Sequence, residues 1–224
     1  MADKSFNPSL IEEVWGAVAI AGSIVLSPVL RPWYSKWGAS GEEVETGRVV
    51  RFRGNIGTAF IYGLESFADL DIGKWAFPDT ERARLNYFLN LAWTNSEYTA
   101  SEQNNVVGNQ VEFIPRINLK TGIRFGYGNL LGSLQYTYLS EQFTDATNAP
   151  QDPNDNQRGI EGSIPAYDIM DLSLSYTLGK FRLEAGINNL LDNSYFTRRA
   201  TGYPGPGIIP AEPRTFYTTL QFRL

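Results

Sequence analysis

The sequence predicts an all-β chain whose strands build an antiparallel transmembrane β-barrel. Three observations carry this. The last ten residues alternate to the end, with Phe216, Thr218, Leu220, Phe222 and Leu224 on one face and Thr215, Tyr217, Thr219, Gln221 and Arg223 on the other. Short glycine turns and long polar loops follow each other in strict turn, the asymmetry of a barrel with one wet rim of loops and one of tight turns. Aromatic residues make up 13% of the chain, with 12 Tyr and 13 Phe, and 21 Gly supply turns.

The elements justify the fold in order. Residues 14–30 (VWGAVAIAGSIVLSPVL) carry no charge. They allow a strand or strand pair, a buried or membrane helix cut short by Pro28, or a stretch without a native role. As an export signal the segment is poor, since Glu12 and Glu13 stand where positive charge belongs. From Arg48 the pattern sharpens. Residues 48–56 lead into a strand over 58–72, with Phe60, Tyr62, Leu64 and then Phe67 apolar. Residues 71–82 form a turn region. The next strand, 84–97, sets Leu85, Tyr87, Leu89, Leu91 and Trp93 against Asn86, Asn90 and Thr94, with Phe88 and Ala92 intruding on the polar face. Residues 98–114 are polar, Asn-rich and predicted as a long loop.

A strand over 115–125 is followed by a tight turn at 126–129 and a return strand over 130–143, where Leu134, Tyr136 and Tyr138 oppose Ser133, Gln135 and Thr137. A long loop over 144–164 precedes the cleanest alternation. There Met170, Leu172, Leu174, Tyr176 and Leu178 oppose Asp171, Ser173, Ser175 and Thr177. Gly179 and Lys180 turn the chain into a strand over 181–188. Residues 189–213 are a long loop before the final strand. Seven strands follow Arg48, and an eighth from residues 14–37 makes the number even. A soluble sandwich or lipocalin-like barrel also alternates, but its loops are more uniform and its inner face is the apolar one. The loop asymmetry favours the outer-membrane setting, with the C-terminus on the periplasmic side.

Composition removes whole classes of chemistry. The chain has no Cys and no His, which excludes disulfides, thiolate catalysis and Ser-His catalysis and leaves no His-based metal site. A net charge of -5 argues against nucleic acid as partner. Mean hydropathy of -0.25 fits a membrane barrel, because only alternate residues meet lipid. No enzyme activity and no cofactor is expected.

Several stretches, in order, resemble the β-barrel of TonB-dependent outer-membrane receptors, and within them the ferric dicitrate receptor-like group. They are FRGNIGTAFIYGLE at 52–65, VGNQVEFIPRINLKTG at 107–122, IPAYDIMDLS at 164–173, GINNLLDNSYFTRR at 186–199 and GYPGPGIIP at 202–210. The resemblance covers about residues 48–224 and leaves 1–47 unmatched. It implies a barrel of roughly 22 strands around an N-terminal plug. It implies uptake of a ferric siderophore or ferric citrate, driven from an inner-membrane TonB complex that contacts the receptor near its N-terminus. The chain holds about a third of those strands and ends in Leu224, where such barrels usually end in Phe. The expectation is therefore the C-terminal strands of a larger Gram-negative outer-membrane receptor, not competent for transport alone. The competing expectation is a small closed barrel of about eight strands with a structural or adhesion role.

Few residues stand out as a site. Arg198 and Arg199 fall in the last long loop, where guanidinium groups suit an anionic ferric chelate or, alternatively, brace the loop or meet lipopolysaccharide. The Gly- and Pro-rich run at 202–210 reads as a rigid loop. The acidic run at 152–156 lacks the Gly and Glu of a calcium loop, at Gln157 and Ser163, and reads as a solvated loop. Glu65, Glu97, Glu112 and Asp171 show no pairing for acid–base work. The polar faces, with Asn86, Asn90, Lys120, Arg124, Gln135, Asp171, Arg182 and Glu184, read as the lining of a wet lumen. Tyr127, Tyr176 and Tyr195 suit an interfacial girdle or simple β-propensity. Expected partners are outer-membrane lipid and lipopolysaccharide, a ferric chelate, and the TonB complex only through a part absent from this sequence.

Overall fold

The computed structural model describes residues 23–27, 43–44, 48–49, 56–80, 82–150, 159, 162–200 and 207–223, the first three groups as backbone only. Twelve strands and one short helix lie among them. They are β1 (Ser23–Ser27), β2 (Glu43–Val44), β3 (Arg48–Val49), β4 (Gly57–Asp71), α1 (Gly73–Ala76), β5 (Ala83–Ser101), β6 (Ile117–Tyr127), β7 (Leu130–Leu139), β8 (Tyr167–Leu178), β9 (Phe181–Asn188), β10 (Phe196–Ala200), β11 (Gly207–Pro210) and β12 (Thr215–Phe222).

Eight of these form one antiparallel sheet in the order β1-β4-β5-β6-β7-β8-β9-β12. The seven strands expected after Arg48 are all in it, and β1 supplies the eighth. The rest of the uncharged stretch at 14–30 lies outside the described residues. β1 and β12 are the two edges, and among the described residues the sheet is open. No described helix is long and apolar enough to cross a membrane, which leaves crossing by strands unaffected.

The pairing register turns the sequence alternation into two faces. One row across the sheet reads Phe216, Ile187, Leu172, Leu134, Ile123, Tyr87 and Leu70. The adjacent row reads Tyr217, Gly186, Ser173, Ser133, Arg124, Asn86 and Asp71. The first face is apolar and the second largely polar, the inversion that lipid outside and water inside impose on a barrel wall. Phe216, Leu220 and Leu178 are exposed on the apolar face. Within the sheet the register shifts only once, between Thr58 and Ala59. Phe67 therefore stays on the inner face opposite Asn90.

Three direct cross-strand pairs share one device. Phe88 lies opposite Gly122, Phe125 opposite Gly132, and Tyr217 opposite Gly186. A Cβ on each glycine would stand 2.9, 2.2 and 2.4 Å from the nearest atom of that ring. The aromatic ring lies over the bare backbone and covers it, which restores contact that glycine itself lacks.

Four connections differ from expectation. β5 runs on to Ser101, through residues predicted as loop. Its last residues pair with the first residues of β4, where Tyr98 and Ala59 pack into the core of the loops and strict alternation is not required. Residues 71–82 contain α1, one helical turn closed by the Ala76 and Phe77 amides on the carbonyls of Ile72 and Gly73. β7 stops at Leu139, short of Phe143. The last long loop carries the β10–β11 hairpin, where Phe196 pairs with Pro210 and Ala200 with Gly207. The two tight turns are as expected, with Gly128 and Gly179 at φ of 56° and 57° at the first loop position, a region open to glycine at no steric cost.

Candidate functional site: the polar wall and the outer cap

The inner face holds most of the charge of the sheet. Near the tight-turn end a groove of about 390 Å³ is lined by Arg84, Arg124, Arg182, Glu184, Asn86 and Tyr217 among others. Arg124 pairs with Asp69, which also accepts from the Asn86 side-chain amide at 3.4 Å, and its guanidinium lies 5.2 Å over the Phe88 ring. Arg182 pairs with Glu184 two residues along the same strand, at 2.7 Å. These groups come together because residues i and i+2 share a strand face and register aligns neighbouring strands. Of the residues expected to line a lumen, Asn86, Asn90, Lys120, Arg124, Gln135, Asp171, Arg182 and Glu184 all fall on this face.

At the opposite end the long loops build a cap with its own small core. Ile56, Ala59, Tyr98, Val106, Val111 and Ala146 are buried together. Tyr98 is completely buried and its hydroxyl donates to Glu112 Oε2 at 2.6 Å. Glu112 is thus held by a phenol rather than by a second carboxylate. The Val111 amide donates to Ser96 Oγ at 3.2 Å. Asn148, at φ 53°, accepts from the Gln110 amide and donates to the Gln110 carbonyl, both at 2.8 Å, joining the first long loop to the second. Asn109 reaches the Ala146 carbonyl at 2.9 Å for the same purpose.

The two candidate arginines part company. Arg199 is buried at 6% exposure. Its Nε and Nη2 donate to the Ser163 carbonyl at 3.0 and 2.8 Å, and Nη1 donates to the Gly159 carbonyl at 2.9 Å. The guanidinium also lies 5.0 Å over the Phe196 ring. It ties the third long loop to the second. Arg198, one residue earlier in the β10 strand, is exposed.

The NNLLDN run is a folded turn. Asn189 takes φ 52° and Asp192 φ 58°. The Asn189 amide donates to Asp171, its side chain exchanges bonds with the Asn193 backbone, and Asn193 Nδ2 donates to the Asp168 carbonyl. Tyr195 stacks on Tyr167, with ring centroids 4.6 Å apart. Burial first, then the carboxylates of Asp171 and Glu212, push the Tyr195 phenol above its ordinary range. Sequence reasoning missed the cap core and Phe113, a non-glycine residue at φ 58°, because neither alternates nor carries charge. Among the described residues no group of acidic side chains could hold a metal ion. The acidic run at 152–156, Gln157, residues 202–206 and Leu224 lie outside the described residues.

A two-faced antiparallel wall with tight turns at one end and capped loops at the other defines an outer-membrane-type β-barrel sheet. The family description TonB dependent receptor-like, beta-barrel matches residues 31–190, and the chain belongs to that family. Family members are outer-membrane receptors and transporters rather than enzymes. Among solved structures the chain is similar to the ferric citrate transporter FecA in its unliganded form. The identity is 25% and the TM-score 0.65, over 78% of this chain and 26% of that one. It is also similar to the ferric yersiniabactin uptake receptor FyuA from Yersinia pestis, at 19% identity and TM-score 0.58, over 77% and 25%. The siderophore receptor PiuA from Acinetobacter baumannii gives 20% identity and TM-score 0.54, over 77% and 23%. The chain spans about a quarter of the length of these structures. No curated protein matches it.

Proposed function

We propose that this sheet is part of the wall of an outer-membrane receptor for a ferric chelate, of the siderophore or ferric citrate kind. The observation that carries the reading is the two-faced sheet with a capped outer end, at 25% identity to a ferric citrate transporter. In this reading the polar face borders the passage and the outer loops meet the chelate. Arg198 offers a solvated guanidinium to its carboxylates, while Arg199 holds the loop that presents it. The eight strands form wall rather than a whole transporter, so chelate binding is expected from this chain and energy-coupled passage is not.

The test is retention of radiolabelled ferric citrate, against a hydroxamate and a catecholate chelate, by detergent-solubilised full chain. Saturable retention of one class, weakened about tenfold by Arg198→Ala, is expected for one lost charge-assisted contact. Equal, non-saturable retention of all three would sink the reading.

A further inference from the structure

The groove on the polar face holds more hydrogen-bond donors than the wall itself uses. Register sets Arg84, Ser175 and Glu184 in one row across the sheet, and Arg124, Ser133 and Ser173 in the next. Arg124 is answered by Asp69 and Arg182 by Glu184. Asp71, opposite Asn86, is taken by Lys74 at 3.9 Å. Arg84 is left with no hydrogen bond or ion pair among the described residues. The Ser133, Ser173 and Ser175 hydroxyls, on the strands between the arginines, have no partner there either. Arg182 is only half satisfied. Its Nε is enclosed 2.7 Å from Glu184 Oε1, at an angle that makes no hydrogen bond.

Guanidinium and hydroxyl donors around one concave space, with one positive charge left unmatched, suit a carboxylate-bearing anion. At about 390 Å³ the groove has the size of a small-molecule site and is too small for a folded domain. We propose that it is a second anion station, at the tight-turn end of the passage. There a small polycarboxylate pairs with Arg84 and takes further hydrogen bonds from the three serines. Arg198 lies in the long loop between β9 and β12, at the other end of the sheet, so the station is separate from the outer loops. The station rests on the reading that the polar face borders a passage. A single unmatched charge holds an anion weakly, which suits a group that must leave again.

The test is protection of Arg84 from phenylglyoxal, which adds to free guanidinium groups, in the detergent-solubilised full chain without iron. Modified residues are located by peptide mapping, with the exposed Arg116, outside the groove, as internal reference. Citrate is expected to slow modification of Arg84 saturably and to leave Arg116 unchanged. Acetate at equal ionic strength is expected to protect little. In equilibrium dialysis, Arg84→Gln is expected to weaken retention of labelled citrate about tenfold, and Arg84→Lys less, since an ammonium keeps the charge but not the fork. Arg84 modified at the same rate with and without citrate overturns the station. Equal protection by acetate means ionic screening and overturns it as well. Protection by hexaglutamate at lower concentration than citrate makes an acidic protein segment the occupant, which also overturns it. Retention of a ferric chelate that depends on Arg198, with Arg84 unprotected, removes the station and leaves the receptor reading standing. Arg84 is exposed and unpartnered, so its replacement does not threaten folding, and the protection assay needs no replacement at all.

Discussion

Adjacent identical side chains can have opposite fates, and Arg198 and Arg199 show why. Both read as loop cations, yet only one is enclosed by backbone carbonyls from another loop. Arg199→Ala strands the Ser163 and Gly159 carbonyls and is expected to cost the cap about 2 kcal/mol. Limited proteolysis within residues 140–166 would then quicken about thirtyfold, while Arg198→Ala leaves the rate unchanged. The covered glycines give a second prediction at this scale. Gly132→Val drives a side chain into the Phe125 ring, at an expected cost of about 1–3 kcal/mol in urea unfolding. Adding Phe125→Ala should recover part of that loss, and a purely additive double variant would show that the ring cover contributes nothing. Sequence made the glycines visible only as turn or strand breakers, because their ring partners are cross-strand and register is a tertiary fact.

A strand of this wall carries an apolar and a polar face, and β8 offers the cleanest contrast. Leu174 and Ser173 are neighbours on opposite faces. Leu174→Asp should cost up to about 2 kcal/mol in folding into bilayers, while Ser173→Asp stays near neutral on the wet face. Equal effects at both positions would mean that the faces do not see different media. Alternation over β6, β8 and β9 was legible in the sequence because successive residues there fall on opposite faces, one apolar and one polar. It failed in residues 98–101, where β5 continues into the cap and Tyr98 is buried among the loops. The cap core was illegible for the same reason: Val106, Val111 and Ala146 are spread across polar loops with no period. Tyr98→Phe removes the donor to Glu112 and should loosen the cap by about 1–3 kcal/mol, seen as faster amide exchange in β5 beyond Trp93 with the central sheet unchanged.

Across the molecule, two edges remain. β1 and β12 each lack a partner on one side among the described residues, and an open ladder edge is costly in hydrocarbon. The chain in detergent is therefore expected to associate through these edges. A mass above the monomer by light scattering is predicted, with no compact fast-migrating band on an unheated gel. A monomer with such a band would mean that the eight strands close on themselves. The strand order was legible from the lengths of the connections alone, since every short turn and long loop joins nearest neighbours, whereas nothing in the sequence marked the β10–β11 hairpin within a Gly- and Pro-rich run. That unbroken up-and-down order has a further meaning. Among the described residues each strand of the eight-stranded sheet pairs only with the sheet strand before it and the one after it, and the register slips once. Any down-and-up pair can be copied, lost or exchanged without disturbing the inside-outside assignment of the remainder, since two reversals restore the original direction. A lineage of such proteins can widen or narrow its pore by duplicating genetic cassettes, and each outer loop travels with its own pair as a unit of inheritance.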